Sequence, residues 1–253
     1  MSADGALVEY LLRLGDDRLV LGHRLSEWCG YAPILEEELA LGNVALDFLG
    51  QATALLDLAG RVEGRSRTAD DLAYFREAVE FRNSLLVERP NGDFACTIAR
   101  QFLFDAYDVP LATALRGSRN DALARLAAKA AVESVYHLRH SREWVLRLGD
   151  GTEESHRRIE RAFSDLWTYT AELFCADSVD ESLVATGVGV NPATLREPWQ
   201  ATVSATLSEA GIALCGDSTP PLVGGRHGRH SEHLGRMLAE MQIVARSFPG
   251  AHW

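Results

Sequence analysis

Apolar residues recur at helical spacing along nearly the whole chain, and no stretch shows the period-two alternation of a half-buried strand. A first helix is expected from about Ala6 to Trp28, with Gly15 as a candidate break. A second begins near Pro33, a residue suited to a first helical position, with Glu36, Glu37 and Glu38 where the helix dipole favours anions. It continues through Leu39, Leu41, Val44, Leu46, Phe48 and Leu49 to Leu58. Thr68 to Asp71 has the form of an N-cap box and opens a third helix through Tyr74 and Phe75. Asn91-Gly92 marks a turn, and a helix follows from Asp93 to about Leu115.

Asn120 to Leu148 is a long periodic run, broken at Asp150-Gly151. Thr152 then caps a helix reaching about Phe174. Asn191-Pro192 reads as cap and first residue of a helix through Trp199 to Ala210, and a last helix runs from about Ser231 to Arg246. Long helices with short connections become antiparallel neighbours, so the expected fold is an all-α bundle. There is no internal repeat. The loop from Gly216 to Gly228 separates only a tail, so 1–253 reads as a single domain. Its last part, 224–253, is a loop, helix and tail packing on the bundle or on a partner.

Composition narrows the function more by exclusion than by assignment. A chain of 253 residues, 47% of them hydrophobic, builds a sizeable core unaided. A net charge of -11 argues against nucleic acid and against anionic membrane surfaces. Cys29, Cys96, Cys175 and Cys215 are scattered, form no CxxC pair and read as buried, reduced thiols. Met1 to Leu7 has no basic segment before an apolar run, and no stretch reaches the ~18 apolar residues of a membrane span. The expected location is the cytoplasm.

A helical bundle raises the question of a di-iron centre, which takes Glu from two helices and Glu-x-x-His from two others. Only Glu153 and His156 have that spacing, and they lie in a first turn where a cap and a Glu are expected anyway. The interior candidates for a vestigial or rearranged site are Glu27, Asp47, Asp105, Glu133 and His137. Asp47 has Gly50 three residues on, and Glu133 has Tyr136 there, with His137 one place further round. His137 and His140 also read as polar positions served by nearby carboxylates. His227, His230 and His233 form an HxxHxxH run that, if helical, would fan its imidazoles apart rather than converge on one ion. Arg226 and Arg229 could meet a phosphate or CoA, but GGRHG lacks the strand–loop–helix setting of a phosphate cradle. Trp28, Trp144, Trp167, Trp199 and Trp253 read as core or interface fillers. No GxSxG, Walker or dinucleotide fingerprint is present.

Two long segments carry a family likeness: LGHRLSEWCGYAPILEEELALGNVALDFLGQA (Leu21 to Ala52) and GGRHGRHSEHLGRMLAEMQIVARSFPGAHW (Gly224 to Trp253). RQFLFDAY (Arg100 to Tyr107) and LWTYTAELF (Leu166 to Phe174) add to it. Together they resemble the C subunits of bacterial phenylacetyl-CoA oxygenases (the PaaC-type family, of 1,2-phenylacetyl-CoA epoxidases). The resemblance implies a ferritin-like helical bundle with additional C-terminal helices. It also implies a structural role, with no catalytic, cofactor or metal residues in this chain. The implied partner is a catalytic A subunit of similar fold that carries the di-iron centre. That subunit inserts one atom of O₂ across the aromatic ring, drawing electrons from NADPH through a separate reductase subunit. The other reading left open is a di-iron monooxygenase or oxidase in its own right, with a rearranged ligand set. For the partner-facing surface, the first two helices are the leading candidate, because Leu39, Leu41, Val44, Leu46, Phe48 and Leu49 make the second apolar nearly all round. The alternative is that this helix lies centrally in its own bundle.

Overall fold

Gly15 does not break the first helix. In the computed structural model, which describes residues 3–213 and 220–251, α1 (Ala3–Ser26) passes straight through it. A Cβ at Gly15 would stand 2.9 Å from Cδ2 of Leu56, and one at Gly22 would stand 3.0 Å from Cγ of Leu49. Both glycines lie where α1 presses on α2 (Leu35–Glu63). That close approach offsets their poor helix propensity of ~1 kcal/mol each. The start of α2 lies past Pro33, because Ile34 stays extended (φ -146°) as its N-cap; the three glutamates keep the expected first turn.

α1, α2, α4 (Phe94–Leu115) and α5 (Asp121–Gly149) form the bundle: α1 pairs with α2, α4 with α5, and α2 crosses α5. α4 and α5 start where expected, and the residues at those starts are their caps, Asp93 accepting from Cys96 N at 2.9 Å and Asn120 from Leu123 N at 3.0 Å. Each such cap is worth ~1 kcal/mol. Phe48, Phe102, Phe104 and Phe163 are fully buried between the layers. Among the described residues no strand occurs, so the fold is all-α and fits the ferritin-like bundle that the resemblance implies. α2 is long and apolar enough to cross a membrane by length and composition alone. Here Leu41, Val44 and Phe48 are buried against the bundle.

The outer elements depart further from expectation. α3 (Ala69–Tyr74) has the Thr68–Asp71 capping box but is only six residues long. α6 (Glu153–Trp167) stops short of Phe174. Thr170 Oγ1 donates to the carbonyl of Trp167 at 2.8 Å, a local bond that competes with the helix, and a 3-10 turn follows at Ala171–Phe174. The short α7 (Ser178–Ala185), capped by Asp177, has no counterpart among the expected helices. Asn191 caps a 3-10 turn, Pro192–Leu195, and α8 (Arg196–Glu209) starts after it. α9 (Glu232–Ser247) closes over α3. Of the expected loop, 216–219 lie outside the described residues, and Gly225–His227 is a 3-10 turn.

Cysteine burial is not as expected. Cys29 lies in the turn after α1 and Cys175 at the end of a 3-10 turn, so both are exposed, and Cys96 is half-buried. Cys215 lies outside the described residues, as does Trp253. Trp199 is buried, and Trp28, Trp144 and Trp167 are half-buried, packed on the core.

Residues 75–93 contain little regular structure, yet Phe81, Asn83, Ser84, Leu86, Val87 and Glu88 are fully buried. Buried irregular backbone needs hydrogen-bond partners, and charged side chains supply them. Asp16 accepts from Arg82 N at 2.8 Å, Asp17 from Ser84 N at 2.7 Å and Glu172 from Leu85 N at 2.8 Å. Arg24 and Arg226 donate to the carbonyls of Glu88 and Arg82 at 3.0 and 2.9 Å. One stretch of α1 thus anchors four other segments. Arg13 pairs with Asp177 and Asp180, Asp16 with Arg76, Asp17 with Arg226, and Arg18 with Asp108.

The tie to α7 is acid-sensitive. Burial opposes the charge of Asp177, but hydrogen bonding and attraction from Arg13 outweigh it and hold the carboxyl at about 2. An aspartate depressed below its unfolded value of ~3.9 contributes stability that is complete above that pH and is lost as pH falls through the folded value. Amide exchange should therefore show α7 loosening between about pH 4 and pH 2. Asp177→Asn should flatten that response, and an unchanged profile in the variant would refute the assignment.

Candidate functional site

Four helices send polar side chains into the centre of the bundle. Arg18 on α1 donates through Nη2 to Asp108 Oδ1 on α4 at 2.5 Å, through Nε to Gln51 Oε1 on α2 at 2.7 Å, and through Nη1 to the Leu14 carbonyl at 3.1 Å. Gln51 passes the chain on, donating to Glu133 Oε2 on α5 at 2.8 Å. Ser134, also on α5, donates its hydroxyl to the other oxygen of Asp108. The Arg18 and Asp108 side chains are 4% and 1% exposed.

A turn away on α4, Asp105 accepts from Gln101 Nε2 at 2.6 Å and from Ser141 Oγ at 2.7 Å. Burial lifts Asp105 well above the ordinary carboxylate range, against the pull of Ser141 and Gln101 and with help from Asp108. The two central carboxylates are therefore balanced differently: Asp108 by a guanidinium, Asp105 by neutral donors alone.

The five candidate residues do not meet at one point. Glu27 is exposed at the end of α1, paired with Arg24 at 2.7 Å and Asn91 at 2.9 Å. Asp47 faces outward, 40% exposed, and takes His137 Nε2 at 3.0 Å. His137 Nδ1 is buried without a hydrogen-bond partner, its ring against Phe48 at 4.9 Å between centroids. Glu133 is held by Gln51 and by Lys129 at 3.4 Å. His140 finds a carboxylate as expected, Glu37 at 2.9 Å. Among the described residues no three His, Cys, Asp or Glu side chains gather in a way that could hold a metal ion. A carboxylate engaged by guanidinium and hydroxyl, and another whose burial disfavours its charged form, do not fit the ionised donor set such a centre needs. No step is therefore assigned to a metal in this chain.

The remaining motifs resolve into structure. Glu153 is exposed, and His156 Nδ1 approaches the Gly149 carbonyl at 2.8 Å, at the start of α6. His227 is exposed while His230 is buried against Glu88, so the HxxHxxH run does not converge. Arg226 is consumed by Asp17 at 2.6 Å and by two backbone carbonyls. A Cβ at Gly225 would stand 2.2 Å from the Asn83 carbonyl oxygen, so that glycine serves close packing. A cleft of ≈ 50 Å³ among α1, α2, α4 and α5, lined by Leu14, Leu55, Leu115, Leu123 and Ala127, reaches Arg18. It is far smaller than the ~300–1,000 Å³ of ligand pockets.

The central polar residues that pattern-reading misses are Arg18, Gln51, Asp108 and Ser134. A signal was present: Arg13-Leu-Gly-Asp-Asp-Arg18 puts four charges into one turn and a half of an otherwise apolar helix.

The family model described as phenylacetic acid catabolic protein matches residues 1–253. The chain is also 49% identical, over 247 residues, to the C subunit of 1,2-phenylacetyl-CoA epoxidase from Escherichia coli (strain K12). That alignment covers 98% of this chain and 99% of the bacterial protein. The chain belongs to the phenylacetic acid catabolic protein family. In this member of the family, the bundle centre is a closed network of ion pair, amide and hydroxyl groups.

Proposed function

We propose that this chain is the non-catalytic, structural subunit of a phenylacetyl-CoA 1,2-epoxidase, pairing with a di-iron catalytic A subunit in aerobic phenylacetate breakdown in the cytoplasm. The observation that carries the reading is Arg18: its guanidinium lies among α1, α2 and α4 and engages Asp108, the carboxylate best placed to bridge helices at the centre. A scaffold also needs a face for its partner. The apolar positions of α2 divide into two sets: Leu41, Val44 and Phe48 are buried in the chain's own core, whereas Leu39 and Leu46 are 60% and 68% exposed. Val132, Val135 and Tyr136 on the crossing helix α5 are exposed as well. A stable obligate pairing buries ~2,000 Å² or more, and this two-helix face is the surface assigned to it. The reductase subunit of the same complex is a further partner, reached indirectly.

The reading is tested by expressing the chain alone and with a candidate A subunit, measuring iron per chain and mass in solution. Iron found only in a hetero-oligomer is the expected result. Iron bound stoichiometrically by the lone chain, lost on replacing Asp47 or His137, would instead establish a metal centre in this subunit.

A further inference from the structure

We propose that His230 is a protonation-gated latch: with both ring nitrogens protonated it holds α9 (Glu232–Ser247) on the core, and loss of one proton loosens that helix. The His230 side chain is 4% exposed and that of Glu88 is fully buried. Nδ1 lies 2.8 Å from Glu88 Oε2, and Nε2 lies 3.1 Å from the carbonyl oxygen of Phe81. Both neighbours are acceptors. A carbonyl can be nothing else, and Glu88 stays ionised: burial works against its charge, but hydrogen bonds from His230 and Ser231 outweigh that and draw its carboxyl below the ordinary value. Only an imidazolium can donate to both.

The surroundings do not supply a substitute. Glu88 Oε1 already accepts from Ser231 N at 2.7 Å, and Oε2 also takes Asn83 Nδ2 at 3.1 Å. Arg24, from α1, donates to the backbone oxygens of Glu88 and His233, and its charge is met by Glu27. Arg82 donates to the Phe81 carbonyl at 2.8 Å and is met by Glu9. A neutral ring keeps one N–H. Given to Glu88, it leaves a lone pair facing the Phe81 oxygen; given to Phe81, it leaves one facing a carboxylate. Either way a buried attraction becomes a repulsion at the point where the C-terminal segment enters α9.

The segment beyond this point is otherwise held by buried Leu234, Met237 and Leu238, by the Arg246–Glu77 ion pair and by side chains reaching backbone. Gln242 Nε2 donates to the carbonyls of Ala73 and Arg76 at 2.9 and 3.1 Å, and Arg246 Nε donates to that of Tyr74 at 3.0 Å. α9 packs mainly on α3 and on the 3-10 turn Ala78–Glu80, so it can open without unpicking the four-helix bundle. Hydrogen exchange on the full chain, expressed as protection factors to remove intrinsic base catalysis, should show α9 losing about tenfold between pH 6 and pH 9. α4 and α5 should hold theirs. His230→Gln should be looser at pH 6 and indifferent to pH, whereas His227→Gln should behave as the unmodified chain. Should His230→Gln not fold, nitrogen-15 spectra of the unmodified chain decide the matter, with two protonated ring nitrogens expected while α9 is protected. A singly protonated ring at pH 6 with α9 closed, or protection of α9 that does not change with pH, would overturn the proposal.

Discussion

Replacing Arg18 by methionine is expected to destabilise the chain by about 3–5 kcal/mol, the cost of stranding a buried charge without its partner. In a protein of this size that corresponds to a fall of roughly 6–20 °C in melting temperature. The side chain is nearly the same volume, so packing changes little. What is lost is the donor that Asp108 Oδ1 and Gln51 Oε1 share, at 2.5 and 2.7 Å. Ser134 remains on the other oxygen of Asp108, and one hydroxyl does not neutralise a carboxylate with 1% exposure. The cause can be separated from general damage to the core. Arg18→Met combined with Asp108→Asn removes both charges and keeps an acceptor for Ser134, so it should recover more than half of the loss. Urea or thermal unfolding of the two single variants and the double variant measures this as a coupling energy. Additive losses would mean that the two residues do not act as a pair, and the picture of the bundle centre as a closed network would fail with them.

The pair is invisible in the sequence for a physical reason. Helical period reports which face is apolar and locates the four bundle helices, and cap patterns locate Thr68 and Thr152, because those signals are local. The partner of Arg18 is 90 residues away, and no periodicity connects them. The same limit applies to residues 75–93. Their burial is made tolerable by Asp16, Asp17, Arg24, Glu172 and Arg226, which come from three other parts of the chain. A run of turn residues with no period reads as an exposed loop, and nothing local says otherwise. Among the candidate residues, Asp47 and His137 do meet, but at the rim of the bundle. Asp105 is central, and its surroundings favour a proton. Glu27 drops out because the helix end that carries it faces solvent. The Glu-x-x-His pattern also passes over Ser134, three residues before His137, because a serine is not a ligand type; it is part of the network that fills the centre.

The second large effect concerns the face that α2 and α5 present outward. Introducing glutamate at both Leu46 and Val132, 68% and 75% exposed, should leave the lone chain folded, since exposed positions tolerate substitution within about 0.5 kcal/mol. Affinity for the A subunit should nevertheless fall roughly 30-fold or more, because two charges would have to be desolvated at the centre of an apolar contact. Leu41→Glu is the instructive contrast. That residue is 1% exposed on the same helix, so it should unfold the chain before partner binding can be measured. Val244→Glu, at a half-exposed position on α9, supplies a control away from the assigned face and should leave affinity unchanged. Titration calorimetry with the purified A subunit, alongside melting curves of each variant alone, separates folding from docking. If Leu46→Glu/Val132→Glu binds as tightly as the unmodified chain while Val244→Glu does not, the partner rests on α9. The apolar exposure of α2 would then need a different occupant.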